Sequence, residues 1–177
     1  MSAVERPAMS DVRDRVIETF SEEHYQTRDN LLELSDAIDE GDLDRAEELV
    51  HEVNGDAGPH FQYEEDSLYP ALIPFFGEEK VKELVAEHDE AIEAARTLAE
   101  LTAQDELTEE EKQEALRAIP DIMVHVSDCE GLIVYLEKAD DEVFEDIQES
   151  IDEAHEQGLT LTEYDDNVRP SPEEIVA

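Results

Sequence analysis

The sequence predicts an all-α protein: an up-down four-helix bundle with an extra C-terminal helix and a tail. Three observations carry that expectation. Apolar residues recur every three or four positions along four long stretches, as on the buried face of a helix, and no strand-like alternation competes with them. Clusters of glycine, proline and asparagine punctuate the stretches. Four of the six histidines, His24, His60, His88 and His125, fall on the apolar stripes of four different predicted helices, where a ring nitrogen must find a hydrogen-bond partner or a metal.

Residues 1–10 read as a loose lead-in, with Pro7 and Ser10 or Asp11 as helix-entry signals. The first helix is predicted from about Asp11 to about Asp39, ended by Gly41, with Val16, Phe20, His24, Thr27, Leu31, Leu34 and Ile38 on its inner face. The second starts near Asp42 and carries Leu43, Ala46, Leu49, Val50 and Val53. The turn formers Asn54, Gly55, Asp56, Gly58 and Pro59 predict a break there, with a fresh segment from His60 to Phe76 whose end is kinked or partly unwound by Pro70 and Pro74. Gly77 ends it. The third helix spans Glu78 to Leu101 and sets His88 between Val81, Val85 and Ile92, Ala95, Ala99. The fourth opens at Thr108 with a capping box to Glu111, and Pro120 predicts a kink in it before His125. Past Lys138, Val143, Phe144, Ile147 and Ile151 predict a fifth helix stopped near Gly158. The rest has Pro170, Pro172 and few apolar anchors, so a strap passing into a frayed tail is expected. The domain reading is a bundle over residues 11–138 and a C-terminal helix with a partly flexible tail over 139–177.

Composition narrows the function classes. Asp+Glu 52 against Lys+Arg 12 gives a formal net charge of -40, spread along the whole chain. Such a surface repels itself in dilute salt and becomes tolerable at molar ionic strength, where the Debye length is about 3 Å. The composition is that of a cytoplasmic protein from a salt-accumulating halophile. No stretch offers the clustered Lys and Arg that a phosphate backbone needs, so nucleic acid is excluded as a partner. Cys129 is the single cysteine, which leaves no intramolecular disulfide. Neither a secretory leader between Met1 and Val12 nor an apolar stretch of membrane-spanning length is expected. An acidic, metal-free helical interaction protein is the plain alternative that this composition allows.

The inward histidines are accompanied by acids. His60 and Glu64 are four apart, one above the other on a helix face, and can act on one metal cluster. His125 and Glu130 are five apart, a wider angle that two metals bridged by carboxylates can accept. Taken singly, each histidine reads as a hydrogen-bonded core residue; together on four helices they read as ligands. His51 lies beside its stripe and reads as a surface residue. His155, in the last turn of the fifth helix, is a cation placed to suit the helix dipole. Cys129 reads as a small buried thiol, and Tyr25, Tyr63, Tyr69 and Tyr135, which could line the pocket, as packing residues with one hydroxyl bond each.

The motifs Glu23-His24, His60-Phe61-Gln62-Tyr63-Glu64-Glu65 with Leu68-Tyr69-Pro70, Glu87-His88 with Ile92, and His125 with Glu130 resemble the hemerythrin-like family, or HHE cation-binding domains, over about Val12 to Leu136. The resemblance implies an up-down four-helix bundle with a non-haem centre of two iron ions, bridged by carboxylates and an oxo or hydroxo group, that meets dioxygen or another small oxidant. It further implies metal ligation by His24, His60, Glu64, His88, His125 and Glu130, with Glu64 and Glu130 as bridges, His24 and His60 on one iron, and His88 and His125 on the other. The oxygen-carrying members have a second histidine one turn before the helix C ligand, and that position here is Leu84. The departure argues for redox, dioxygen or nitric oxide sensing or for iron handling, with oxidation by a di-iron oxidoreductase acting on peroxide as the alternative.

The charge generates a first prediction. The metal-free chain should lose its helical circular dichroism at millimolar salt and regain it at molar salt. Cooperative melting with a full helical signal in dilute buffer would contradict it.

Overall fold

A computed structural model describes residues 9–177, with side chains from residue 12; the part of the predicted lead-in up to residue 8 lies outside the described residues. The chain order is α1 (Met9–Glu40), α2 (Leu43–Tyr63), a single π-helical segment π1 (Glu64–Leu68), α3 (Tyr69–Phe76), α4 (Glu78–Thr102), α5 (Glu109–Glu130), α6 (Ile133–Leu136), α7 (Asp141–Gln157), α8 (Leu161–Asn167) and α9 (Pro172–Ile175). Among the described residues no strand occurs, and no helix is long and apolar enough to cross a membrane.

Four long rods form the bundle: α1, α2 continued through π1 and α3, α4, and α5. They pack as a ring in which α1 touches α2 and α5, and α4 touches α2 and α5. Short links force neighbours to run antiparallel. Gly77 alone separates α3 from α4, at φ 80, the left-handed region that a side chain disfavours. The capping box at Thr108 forms as expected, its hydroxyl accepting from the Glu111 amide. Outside the ring, α7 lies against α1 and α2, and α8 against α2 and α4.

The predicted break at Asn54–Pro59 does not occur; α2 runs unbroken from Leu43 to Tyr63 with Pro59 inside it. The turn formers serve tertiary contact instead. Asn54 Oδ1 accepts from the Thr162 amide at 3.2 Å, and Gly58 is pressed against the α7–α8 link, where a Cβ would meet the Leu159 carbonyl oxygen and lie 2.6 Å from the Thr160 carbonyl carbon. α5 likewise runs on through Pro120. The disturbance expected around Pro70 is a widened turn: the Tyr69 amide bonds Glu64 O, five residues back, just before a proline that has no N–H to give the Asp66 carbonyl. Ser67 Oγ donates to Tyr63 O at 3.0 Å within this turn.

The expected frayed tail is instead two capped short helices. Capping boxes at Thr160/Glu163 and Ser171/Glu174 start them, and Leu161, Tyr164 and Ile175 are buried. The fifth helix stops at Gly158 as expected.

Two apolar clusters fill the molecule. One gathers Leu31, Leu49, Ile92, Leu98 and Ile119 with Leu161 and Tyr164; the other gathers Phe20, Leu68, Leu72 and Leu84 with Phe144, Ile147 and Ile175. In α1, α4 and α5 the sequence passes from one cluster to the other through a histidine, and in α2 it does so just after His60, between Phe61 and Tyr63.

Gly58 and Gly55 give opposite expectations. Gly58→Ala should destabilise by about 1–3 kcal/mol through overpacking. Gly55→Ala, whose Cβ would meet nothing within 4 Å, should be neutral or stabilise by up to about 1 kcal/mol. Urea unfolding at constant high salt measures both.

Candidate metal centre

The bundle geometry brings its histidines to one level. His24 lies seventeen residues before Gly41 and His60 nineteen after it, so both stand roughly 26–28 Å from that turn at 1.5 Å per residue. His24, His60, His88 and His125 are all buried, and Glu64 has no exposure at all. One ligand atom each from His24, His60, Glu64 and His125 lie within 4.8 Å of one another.

Glu64 is the centre of this layer. Its Oε1 is 3.3 Å from His60 Nε2, and its Oε2 is 3.0 Å from His88 Nε2 and 3.6 Å from His125 Nε2. The Cys129 thiol donates to Oε1 at 3.0 Å, and the Tyr69 hydroxyl lies 2.8 Å from His88 Nε2. Phe61 stacks on His88 with ring centroids 3.8 Å apart, and Phe20 packs on His24 at 4.2 Å.

Three of the four rings are oriented from outside. His24 Nδ1 donates to the Phe20 carbonyl at 2.8 Å, His60 Nδ1 to Glu23 Oε2 at 2.7 Å, and His88 Nδ1 to Glu65 Oε1 at 2.7 Å. Each bond turns the ring so that Nε2 faces the interior, the arrangement that metal-ligating histidines need. The outer carboxylates are held in turn. Glu23 accepts from the Tyr63 hydroxyl and from His155 Nε2, both at 2.8 Å; Glu65 accepts from the Tyr164 hydroxyl at 2.8 Å and from Arg169. The widened turn π1 lets Glu64 and Glu65, adjacent in sequence, both be buried.

Burial pulls His24 down to about 4, helped by the charge of His60, and burial with the charge of His88 takes His125 well below the usual range. Both rings are therefore neutral, with lone pairs free to ligate. Burial would lower His60 too, but the Glu64 charge and the Glu23 hydrogen bond outweigh it and raise it to about 10; bonds to Glu64 and Glu65 raise His88 against its burial. Burial would raise the Glu23 carboxyl, yet the bonds from His155 and His60 hold it at about 2, and His60 and His88 hold Glu64 well below the carboxylate range against its own burial.

The residues fit a cation. His24 Nε2 and both nitrogens of His125 are buried without any hydrogen-bond partner, a costly state for polar atoms unless they bind something. With one nitrogen from each histidine, Glu64 makes a set of N and O donors suited to iron or zinc. Beside the layer, His24, His60 and His125 share an enclosed cavity of about 20 Å³ with Val53, Ala57, Phe61, Ala91, Ile122 and Val126 among its walls, enough for one water-sized molecule.

Of the six residues predicted as ligands, five meet here, His88 through its contact with Glu64. Glu130 does not: it is half-buried, the last residue of α5, and about 140° round the helix from His125. Cys129, one turn after His125, is the residue that faces Glu64. His51 is exposed as expected, and Leu84 is fully buried one turn before His88. His155, read as a dipole cation only, reaches the site through Glu23. Glu65, Tyr164 and Arg169 were missed as members of the site. One signal was in view: Arg169 is the only Lys or Arg after Lys138.

The hemerythrin HHE cation-binding domain family model matches residues 15–132. No curated protein and no solved structure matches the chain.

Because His60 keeps a proton up to about pH 10 in the metal-free chain, a metal must displace it to reach Nε2. Metal uptake should thus release protons below about pH 10, read with an indicator dye in weak buffer. The linkage has a matching sign. The raised His60 value stabilises the metal-free fold fully below 6.5, and this contribution is lost as pH rises through about 10.

Proposed function

Since the chain belongs to the hemerythrin HHE cation-binding domain family, we propose that it is a non-haem di-iron protein whose buried layer meets dioxygen, nitric oxide or another small oxidant, in sensing or iron handling rather than oxygen carriage. The observation that carries this reading is the division of Glu64: one oxygen faces His60, the other faces His88 and His125. A carboxylate so placed can bridge two cations. His24 and His60 would hold one iron, and His88 and His125 the other. Glu130 stands at the end of α5, outside the layer, and would act as a second bridge only on a turn of that helix end toward Glu64.

Bound iron would supply one-electron redox chemistry and, with an open coordination position, a place for a small molecule. The chain's own residues do the rest. Nδ1 bonds to Phe20, Glu23 and Glu65 fix the ring planes. The Tyr69 hydroxyl and the Cys129 thiol hold protons beside Glu64 and His88. Phe61, Val53, Ile122 and Val126 give the small cavity of about 20 Å³ beside the histidines an apolar wall, with room for a small molecule. Leu84 offers no nitrogen to the iron at His88, which supports sensing or iron handling over reversible carriage. The surplus of acids supports a cytoplasmic protein of a halophile.

The test is anaerobic loading with ferrous iron in high salt. Two irons per chain are expected, with a visible band after exposure to air. Alanine at His24, His60, Glu64, His88, His125 or Glu130 should cut iron content sharply, and His51→Ala should leave it intact. Equal retention by the His51 and His125 variants would overturn the ligand assignment, and full retention by Glu130→Ala would remove that residue from it.

A further inference from the structure

Glu23 and Glu65 share one design. Each carboxylate binds the Nδ1 of an inner histidine on one side and a cation from the C-terminal segment on the other, beyond the region 15–132 that the family model matches. We infer that this segment supplies the groups that position the metal-binding histidines: Arg169, with Tyr164, fixes His88 through Glu65, and His155 fixes His60 through Glu23. The inference rests on the metal-binding reading of the layer.

The Arg169 arm is the more completely specified. Its guanidinium grips Glu65 as a fork, with Nη2 donating to Oε1 at 2.8 Å and Nε to Oε2 at 3.0 Å, while the Tyr164 hydroxyl donates to Oε2 at 2.8 Å. With His88 Nδ1 on Oε1 at 2.7 Å, Glu65 has donors on both oxygens and no freedom to rotate. The guanidinium is itself tied to the helix that carries His88. Nη1 donates to Asp89 at 2.7 Å and Nη2 to the Val85 carbonyl at 3.4 Å, residues one after and three before that histidine. Its side chain is 10% exposed and Glu65 is not exposed at all, so removal of the cation would strand a buried charge beside a ligand. In the other arm His155 Nδ1 donates to the Ile151 carbonyl at 2.8 Å, which aims Nε2 at Glu23 Oε1, also at 2.8 Å.

A tail that merely docks would make the same contacts matter for stability alone. Arg96 separates the two cases. It ties α8 to α4 through Asp165 Oδ2 at 2.9 Å and Asp166 Oδ1 at 2.7 Å, touching neither Glu65 nor a histidine and leaving Asp165 Oδ1 to accept from Arg169 Nη1 at 3.2 Å.

The test uses cobalt(II) as a probe metal on the full chain in high salt, with affinity measured by chelator competition and site geometry by the visible absorption of the bound ion. Arg169→Leu should weaken binding about 10–100-fold and alter the spectrum. Arg169→Lys, a point charge without the fork, should recover only part of the affinity. His155→Leu should change the spectrum through the His60 side, and Arg96→Leu should match wild type in both readouts. The inference is overturned if Arg169→Leu keeps wild-type affinity and spectrum, or if Arg96→Leu loses as much. Should Arg169→Leu fail to fold by circular dichroism, Tyr164→Phe decides by the same readouts, a wild-type result again overturning it. A wild-type chain that takes up no cobalt overturns the inference together with the metal reading, whereas a wild-type chain that binds while the variants match it overturns the inference alone.

Discussion

A carboxylate cannot stand alone at the centre of a helical bundle, and the obligations that Glu64 creates extend to the molecular surface. Removing its charge from water costs several kcal/mol, so nitrogens of His60, His88 and His125 gather on it. A buried imidazole must in turn satisfy its other nitrogen, and the Phe20 carbonyl, Glu23 and Glu65 do so for His24, His60 and His88. Two of those acceptors are acids with little exposure, which need cations of their own, and His155 and Arg169 meet that need. Each shell exists because the one inside it is charged and dry.

The backbone makes room for this at one place. An ordinary α-helix that presents His60 and Glu64 on one face turns the next residue well away from it. The widened turn from Glu64 to Leu68 buries Glu65 as well and then returns Leu68, Tyr69 and Leu72 to the interior. The polar layer sits between two apolar clusters that every bundle helix crosses. Apolar burial on either side pins the helices, and the layer inherits its register from them.

Much of this was legible in the residues. Three-and-four spacing found the bundle helices and put four histidines inward, because burial is what that spacing encodes. Helix ends with a local chemical signature, Thr108 with Glu111 and Gly158, were read correctly for the same reason. What failed was non-local. Gly58 and Pro59 look like a break until the α7–α8 link is seen against them. The tail looks anchorless because Leu161, Tyr164 and Ile175 are too few for a stripe, yet each is buried against a distant helix. Glu65 could not be placed without the widened turn, and Arg169 acts across a separation of 104 residues. The wide step from His125 to Glu130 was visible as an angle, whereas Cys129, at the tighter spacing, faces the carboxylate.

The position of Arg169 late in the chain also sets an order in time. A ribosome adding about 5–20 residues per second completes every histidine of the layer, together with Glu64 and Glu23, before it reaches the residue that grips Glu65. The thirty-nine residues from Gly131 to Arg169 occupy roughly 2–8 s at that pace. A chain that has reached Glu130 therefore carries every inner donor in its sequence but not yet the residues that restrain Glu23 and Glu65 from outside. Synthesis thus separates the making of the nest from the fastening of its rim by the segment that follows the bundle.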